Sequence, residues 1–171
     1  MPDKLIRDSN LEKITNLFHD EDFFDLFAFF VFKVSDIINC HNVDDFIIKN
    51  LEKLLGNKKI FFFTDVNQFN NLKNNVEINP GMKSQTEIFI YRSSELHGKK
   101  LSNIKNIVNR IRNSFAHGNF YVKTVYKTKV LFMKDENIIK FGANETMKSV
   151  FYLTTIIELM NLLKKAINSK K

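Results

Sequence analysis

Residues 102–121 read SNIKNIVNRIRNSFAHGNFY, and the fold turns on whether this stretch is a helix that stops at a glycine. Ile104, Ile107, Val108, Ile111 and Phe115 fall at i, i+3, i+4, i+7 and i+11, one apolar stripe at helical spacing. Gly118 follows His117 directly, and glycine readily takes the left-handed conformation that closes a helix. The expected helix therefore runs from about Ser102 to His117.

Downstream the period changes. NFYVKTVYKTKVLFMKD (residues 119–135) alternates as a hairpin does, and NIIKF and SVFYL read as further short strands. Thr155 and Glu158 form a T-x-x-E capping box for a last helix carrying Ile156, Ile157, Leu159, Met160, Leu162 and Leu163. Upstream, Asp8 and Ser9 suit the cap of a first helix reaching His19. A Phe-rich run from about Asp22 to Cys40 is apolar enough to be a central helix buried on most sides. Asn42 suits the cap of a third helix, with Phe46, Ile47, Leu51, Leu54 and Leu55 in helical register and Gly56 as its stop. Residues 57–101 read as an elaboration between core helices. KKIFFFTD suits a short strand, DVNQFNNLKNNV a short helix, Asn79–Gly81 a turn, and TEIFIYRSS either a strand or a helix start. The expected fold class is mainly α. It is an up-and-down helical bundle in one domain, residues 1–171, with a small antiparallel sheet between the stripe-bearing helix and the last one.

At 171 residues and 44% apolar composition the chain is long enough to bury a core without staples. Its 18 Phe sit beside abundant Lys, Asn and Ile, all residues with A/T-rich codons, so part of the bias is explicable by genome composition. The single cysteine, Cys40, allows no internal disulfide and no cysteine-based metal cage. No signal peptide is recognisable, and the most apolar run, Phe23 to Phe32, is too short to span a bilayer and contains Asp25. The expectation is a cytoplasmic protein with no membrane association. Residues 1–55 hold 6 Lys/Arg against 11 Asp/Glu, whereas residues 56–171 hold 20 against 8. A basic surface of that size favours polyanions, although it also suits the acidic first third of the same chain or of a second copy.

Arg112 and His117 are the residues with chemistry to offer. At about 100° per residue they lie about 140° apart around an ideal helix, so one copy makes no compact pair of them. Two copies packed about a two-fold axis would gather two Arg and two His in one cleft. Arg and His without a carboxylate cluster suit metal-free RNA cleavage. Imidazole takes the proton from a ribose 2′-OH and imidazolium returns one to the leaving 5′-oxygen, while Arg steadies the phosphate charge. The products would be a 2′,3′-cyclic phosphate and a 5′-OH. The chemistry calls for no cofactor and no metal.

RNSFAHG resembles the R-x-x-x-x-H signature of the HEPN domain family (higher eukaryotes and prokaryotes nucleotide-binding), in which a polar residue, here Asn113, commonly follows the Arg. With the short sheet and capped last helix behind it, the segment is similar to bacterial HEPN proteins of defence and toxin–antitoxin type. The resemblance covers the motif helix and about fifty residues beyond it. It implies a HEPN-like bundle that dimerises around a shared cleft, often a metal-independent endoribonuclease, with an antitoxin or defence-system protein as a possible partner. Carried over, Arg112 and His117 are catalytic and Asn113 orients His117 or contacts phosphate. The alternative within the family is a non-catalytic module that binds RNA or nucleotide or serves in assembly. HEPN toxins paired with a nucleotidyltransferase antitoxin carry R-x-x-x-x-H-x-Y, whereas Asn119 stands at that last position here and the nearest tyrosine is Tyr121.

A bare R-x-x-x-x-H is cheap by chance, and cations in a last helical turn are ordinary partners of the helix dipole. Asn113, Ala116, Gly118, the stripe and the sheet behind it are what raise this one above chance. His19, His41 and His97 are scattered, and Cys40 beside His41 reads as a buried thiol. HGKKLS lacks the first Gly and the Lys-Ser/Thr step of a phosphate loop. The Phe-rich run, without basic interleaving, reads as core or dimer interface rather than a base-stacking platform. Residues 92–112 offer a basic set for RNA: Lys99, Lys100, Lys105 and Arg110, with Arg92 and Arg112, against the lone acid Glu95.

Overall fold

The computed structural model describes residues 20–35, 45–56, 59–63, 65–75, 87–92, 95–96, 99–100, 103–125, 127–139 and 142–168. Asp20 opens the first helix, α1 (Glu21–Phe32). Its carboxylate accepts from the Phe23 amide at 3.3 Å, and Glu21 and Asp22 place more negative charge at the positive end of the helix. Helix α2 (Asp45–Gly56) follows, then strand β1 (Lys59–Phe63) and helix α3 (Val66–Asn75). Asp65 caps α3 by accepting from the Gln68 amide at 2.9 Å. Strand β2 (Ile88–Arg92) and the two-residue strands β3 (Glu95–Leu96) and β4 (Lys99–Lys100) lead into the motif helix α4 (Asn103–Ala116). Strands β5 (Phe120–Val125), β6 (Thr128–Ile139) and β7 (Gly142–Tyr152) then run straight into the last helix, α5 (Leu153–Asn168).

Helices with an antiparallel sheet between the motif helix and the last helix are what the periodicity led us to expect, and β5, β6 and β7 supply it. The sheet itself is larger than expected. Its order is β1-β2-β7-β6-β5, five strands, with β1 and β2 parallel and the remaining pairs antiparallel. Residues 57–101 are therefore no appendage to the sheet: they supply two of its strands, joined by the α3 crossover that parallel strands require. Within TEIFIYRSS, Ile88–Arg92 form a strand. Asn137–Ile139 and Ser149–Tyr152 prove to be the far ends of the long strands β6 and β7, not separate short ones.

Two other expectations need correcting. Thr155 does not cap α5; the helix already begins at Leu153, and Thr155 is buried in its first turn. The buried carboxylate of Glu87 instead accepts from the Tyr152 amide just before the helix, at 2.9 Å. Nor is the Phe-rich helix buried on most sides. Phe23, Leu26, Phe29 and Phe30 are buried, but Phe24 and Phe32 are 52% and 71% exposed. The expected first helix, the span 36–44 with Cys40 and Asn42, and the turn at 79–81 lie outside the described residues.

Helices α1, α2, α4 and α5 pack together on one face of β5-β6-β7. Phe115 of α4 is the hub. Its ring stacks on Phe30 at 5.4 Å and meets Phe23, Phe27 and Phe120 at 6.5, 6.1 and 5.0 Å. Leu131, Met133, Met147 and Phe151 come up from the sheet, and Ile156, Leu159, Met160 and Leu163 from α5. The Phe abundance thus has a packing role, whatever its genomic origin. Rings in edge and offset contact fill the helix–sheet interface.

Candidate functional site

Helix α4 buries more than its apolar stripe. Asn106, Arg110 and Ser114, at i, i+4 and i+8, form a second, polar row that is also buried. Arg110 is the middle of that row and only 2% exposed. Its Nη1 donates to Asp135 Oδ2 at 2.7 Å and to the Thr146 hydroxyl at 2.9 Å, and that hydroxyl lies 2.8 Å from the same carboxylate oxygen. A bulge makes the triad possible. Asp135 pairs with Met147 and Glu136 with Glu145, so Thr146 is the extra residue and its side chain swings inward beside Asp135. This corrects one expectation from the sequence. Arg110 is an internal ion-pair partner that ties the motif helix to the sheet, and it has no surface with which to meet RNA.

The exit of α4 is a double-bonded glycine cap. The Gly118 amide donates to the Phe115 carbonyl at 3.2 Å and the Asn119 amide to the Ser114 carbonyl at 2.9 Å, with Gly118 at φ +67°. The Ser114 hydroxyl donates to the Asn119 carbonyl at 2.8 Å, and the Lys134 amide donates to that same carbonyl at 3.0 Å. The chain therefore leaves the helix directly into the β5–β6 ladder. His117, exposed, sits at the junction.

The His117 amide donates to the Asn113 carbonyl at 2.9 Å, so the last turn keeps α-helical spacing through His117. Arg112 and His117 accordingly stay roughly 7.5 Å apart along the axis and about 140° apart around it. Within one copy they do not converge. Arg112 is half-buried and turns to its neighbour, its Nη1 donating to Asn113 Oδ1 at 3.1 Å. Its Nε is buried without a hydrogen-bond partner among the described residues, and no described carboxylate pairs with it. Asn113 Oδ1 is thus engaged by Arg112.

Of the remaining expected RNA contacts, Lys105 is half-buried on α4. Lys99 and Lys100 pair with Leu96 and Glu95 in the small β3-β4 ladder. Among the described residues no group of three or more His, Cys, Asp or Glu is placed to hold a metal ion, and no helix is long and apolar enough to cross a membrane. Sequence reasoning missed Asp135 and Thr146. The signal for Asp135 was its place in β6, where Leu131, Met133 and Asp135 alternate on the inward side, an acid in an apolar series. No protein-family model, curated protein or solved structure matches this chain.

Proposed function

We propose that the protein is a metal-independent HEPN-type endoribonuclease of a defence or toxin system, acting as a homodimer whose cleft is shared between two copies of α4. The observation that carries this reading is the contrast between two arginines two residues apart. Asp135 neutralises Arg110 in the interior, whereas a neutral amide holds Arg112 and its charge has no counter-ion among the described residues. A guanidinium that is oriented but not neutralised suits an anion brought from outside, and phosphate fits its planar fork of donors. An exposed imidazole at the same helix end supplies the acid and base that 2′-OH attack needs.

The regular last turn makes a second copy part of the mechanism, since Arg112 and His117 of one copy diverge. The exposed Phe24 and Phe32 lie on α1, the helix that packs against α4, and offer a second copy apolar surface on that helix. In the shared cleft His117 of one copy would take the 2′-proton and, as imidazolium, return one to the leaving 5′-oxygen, while Arg112 of the other copy would stabilise the charge on phosphorus, and the two-fold would repeat this composite pair.

The test is incubation of purified protein with labelled single-stranded RNA in EDTA. Cleavage to a 2′,3′-cyclic phosphate, lost in both Arg112→Ala and His117→Ala, is expected. Activity that needs a divalent metal or survives both substitutions would falsify the proposal. Salt-sensitive binding without turnover would assign the protein to the non-catalytic modules of the family instead.

A further inference from the structure

The face of β5-β6-β7 turned away from α1, α2, α4 and α5 carries a second, separate set of groups. Register places Tyr121, Phe132 and Val150 in one row across β5-β6-β7, with Lys123, Val130 and Tyr152 in the row on one side of it and Lys134 and Lys148 in the row on the other. Tyr121 stacks on Phe132 almost in parallel, centroids 4.6 Å and planes 5° apart, yet remains 48% exposed while Phe132 is buried. Partial burial raises its phenol pKa, so the ring is neutral at physiological pH. Lys123 and Lys134 are exposed, two residues along the strand from Tyr121 and diagonal to it.

Lys134 and Lys148 stand directly opposite one another, an arrangement that costs stability unless something negative relieves it. Glu136 does so only in part. Its Oε1 accepts from Lys134 Nζ at 2.8 Å, an exposed pair of the kind that contributes little and that a phosphate can displace.

We infer that this outer face is a binding platform for single-stranded nucleic acid, with Tyr121 stacking an unpaired base on its open side and Lys123, Lys134 and Lys148 meeting the flanking phosphates. Aromatic stacking with cations around it is how single strands are held without sequence preference, whereas a protein partner would give three lysines around one ring no shared purpose. Position supports it. The Lys134 amide bonds Asn119 two residues after His117, and Tyr121 lies four residues after His117, no more than roughly 14 Å of chain. A strand held there enters the proposed cleft from the sheet side. The inference gains its purpose from the ribonuclease reading, but binding at the platform is measurable without cleavage.

The experiment measures anisotropy of a labelled twelve-nucleotide single-stranded RNA in EDTA, in the His117→Ala background so that no turnover intervenes. Tyr121→Ala and Tyr121→Leu, the second keeping apolar cover on Phe132, should each weaken binding at least about fivefold, and Tyr121→Phe should stay within about twofold. Lys148→Ala should lower the slope of log K against log salt by about 0.7, and a duplex of the same length should bind more weakly. Equal affinity of Tyr121→Leu and the parent, no RNA binding at all, or equal binding of duplex and single strand overturns the inference. RNA binding that depends on Tyr121 in a protein that never cuts RNA upholds it while removing the ribonuclease reading. Cleavage indifferent to Tyr121 does the reverse.

Discussion

Arg112 Nη1 donates to Asn113 Oδ1 at 3.1 Å, a side-chain bond between adjacent residues of one helix. Adjacent helical positions usually diverge, so the contact requires the long Arg side chain to bend back over its own helix. It fixes the guanidinium without touching its charge. Asn113→Ala should therefore lower the single-turnover cleavage rate roughly tenfold, the cost of one hydrogen bond to a charged group. Asn113→Asp should lower it too, for the opposite reason: it strengthens the bond while neutralising the charge meant for phosphate. Rates for both variants at saturating RNA separate these effects from RNA affinity. Unchanged rates in both variants remove Asn113 from the site.

Arg110 and Asp135 form an ion pair almost wholly withdrawn from water, completed by Thr146. Removing one partner strands the other. Arg110→Ala should cost roughly 3–5 kcal/mol in urea unfolding, while an apolar replacement of all three groups at similar volume should be close to neutral. RNA affinity measured at a temperature where Arg110→Ala is still folded should not change, which distinguishes an internal tie from a phosphate contact.

Phe24 and Phe32 are large apolar side chains left exposed on α1, the helix whose Phe23, Phe27 and Phe30 pack against Phe115 of the motif helix. If they bury against a second copy, Phe24→Glu with Phe32→Glu should yield a monomer by sedimentation and abolish cleavage together, with little loss of monomer stability. A wild-type protein that is monomeric at micromolar concentration removes the geometric basis for the shared cleft.

Lys129 hydrogen-bonds Asp20, the cap of α1, and this bond holds the Asp20 carboxyl below the usual carboxylate range. A depressed folded-state pKa contributes stability that is present above the unfolded value, 3.8, and is lost as pH falls through the lower folded value. Acid titration of thermal stability should show this loss below about pH 4, and Lys129→Met should shrink it. An identical acid limb in Lys129→Met would remove Lys129 as the cause.

The motif helix was legible because its signal is local. A single 3.6-residue stripe ends at a glycine, and Ile107, Val108, Ile111 and Phe115 are buried as the stripe requires. The β5–β6 hairpin was legible for the same reason. Strands β1 and β2 were not placed, because their partners lie far away in sequence and local periodicity carries no information about which strand pairs with which. Arg110 was misread because a charged residue at i+3 from Ile107 looks like a solvated edge until Asp135 and the bulge at Thr146 are seen opposite it. Asn113 was expected to orient His117 or contact phosphate, and helical spacing gave no sign that its amide oxygen would take a charge-assisted bond from the neighbouring guanidinium.

A cleft shared between two copies makes the sharpest demand on a mixture of inactive variants. In a heterodimer of Arg112→Ala with His117→Ala, one chain keeps His117 and the other keeps Arg112, so one composite pair of Arg and His survives across the interface. Each variant alone should leave labelled single-stranded RNA uncut in EDTA, and the two mixed and allowed to exchange subunits should recover a measurable part of wild-type cleavage. A mixture as inert as its components, beside an active wild type and demonstrated subunit exchange, would contradict a site built from Arg112 of one copy and His117 of the other.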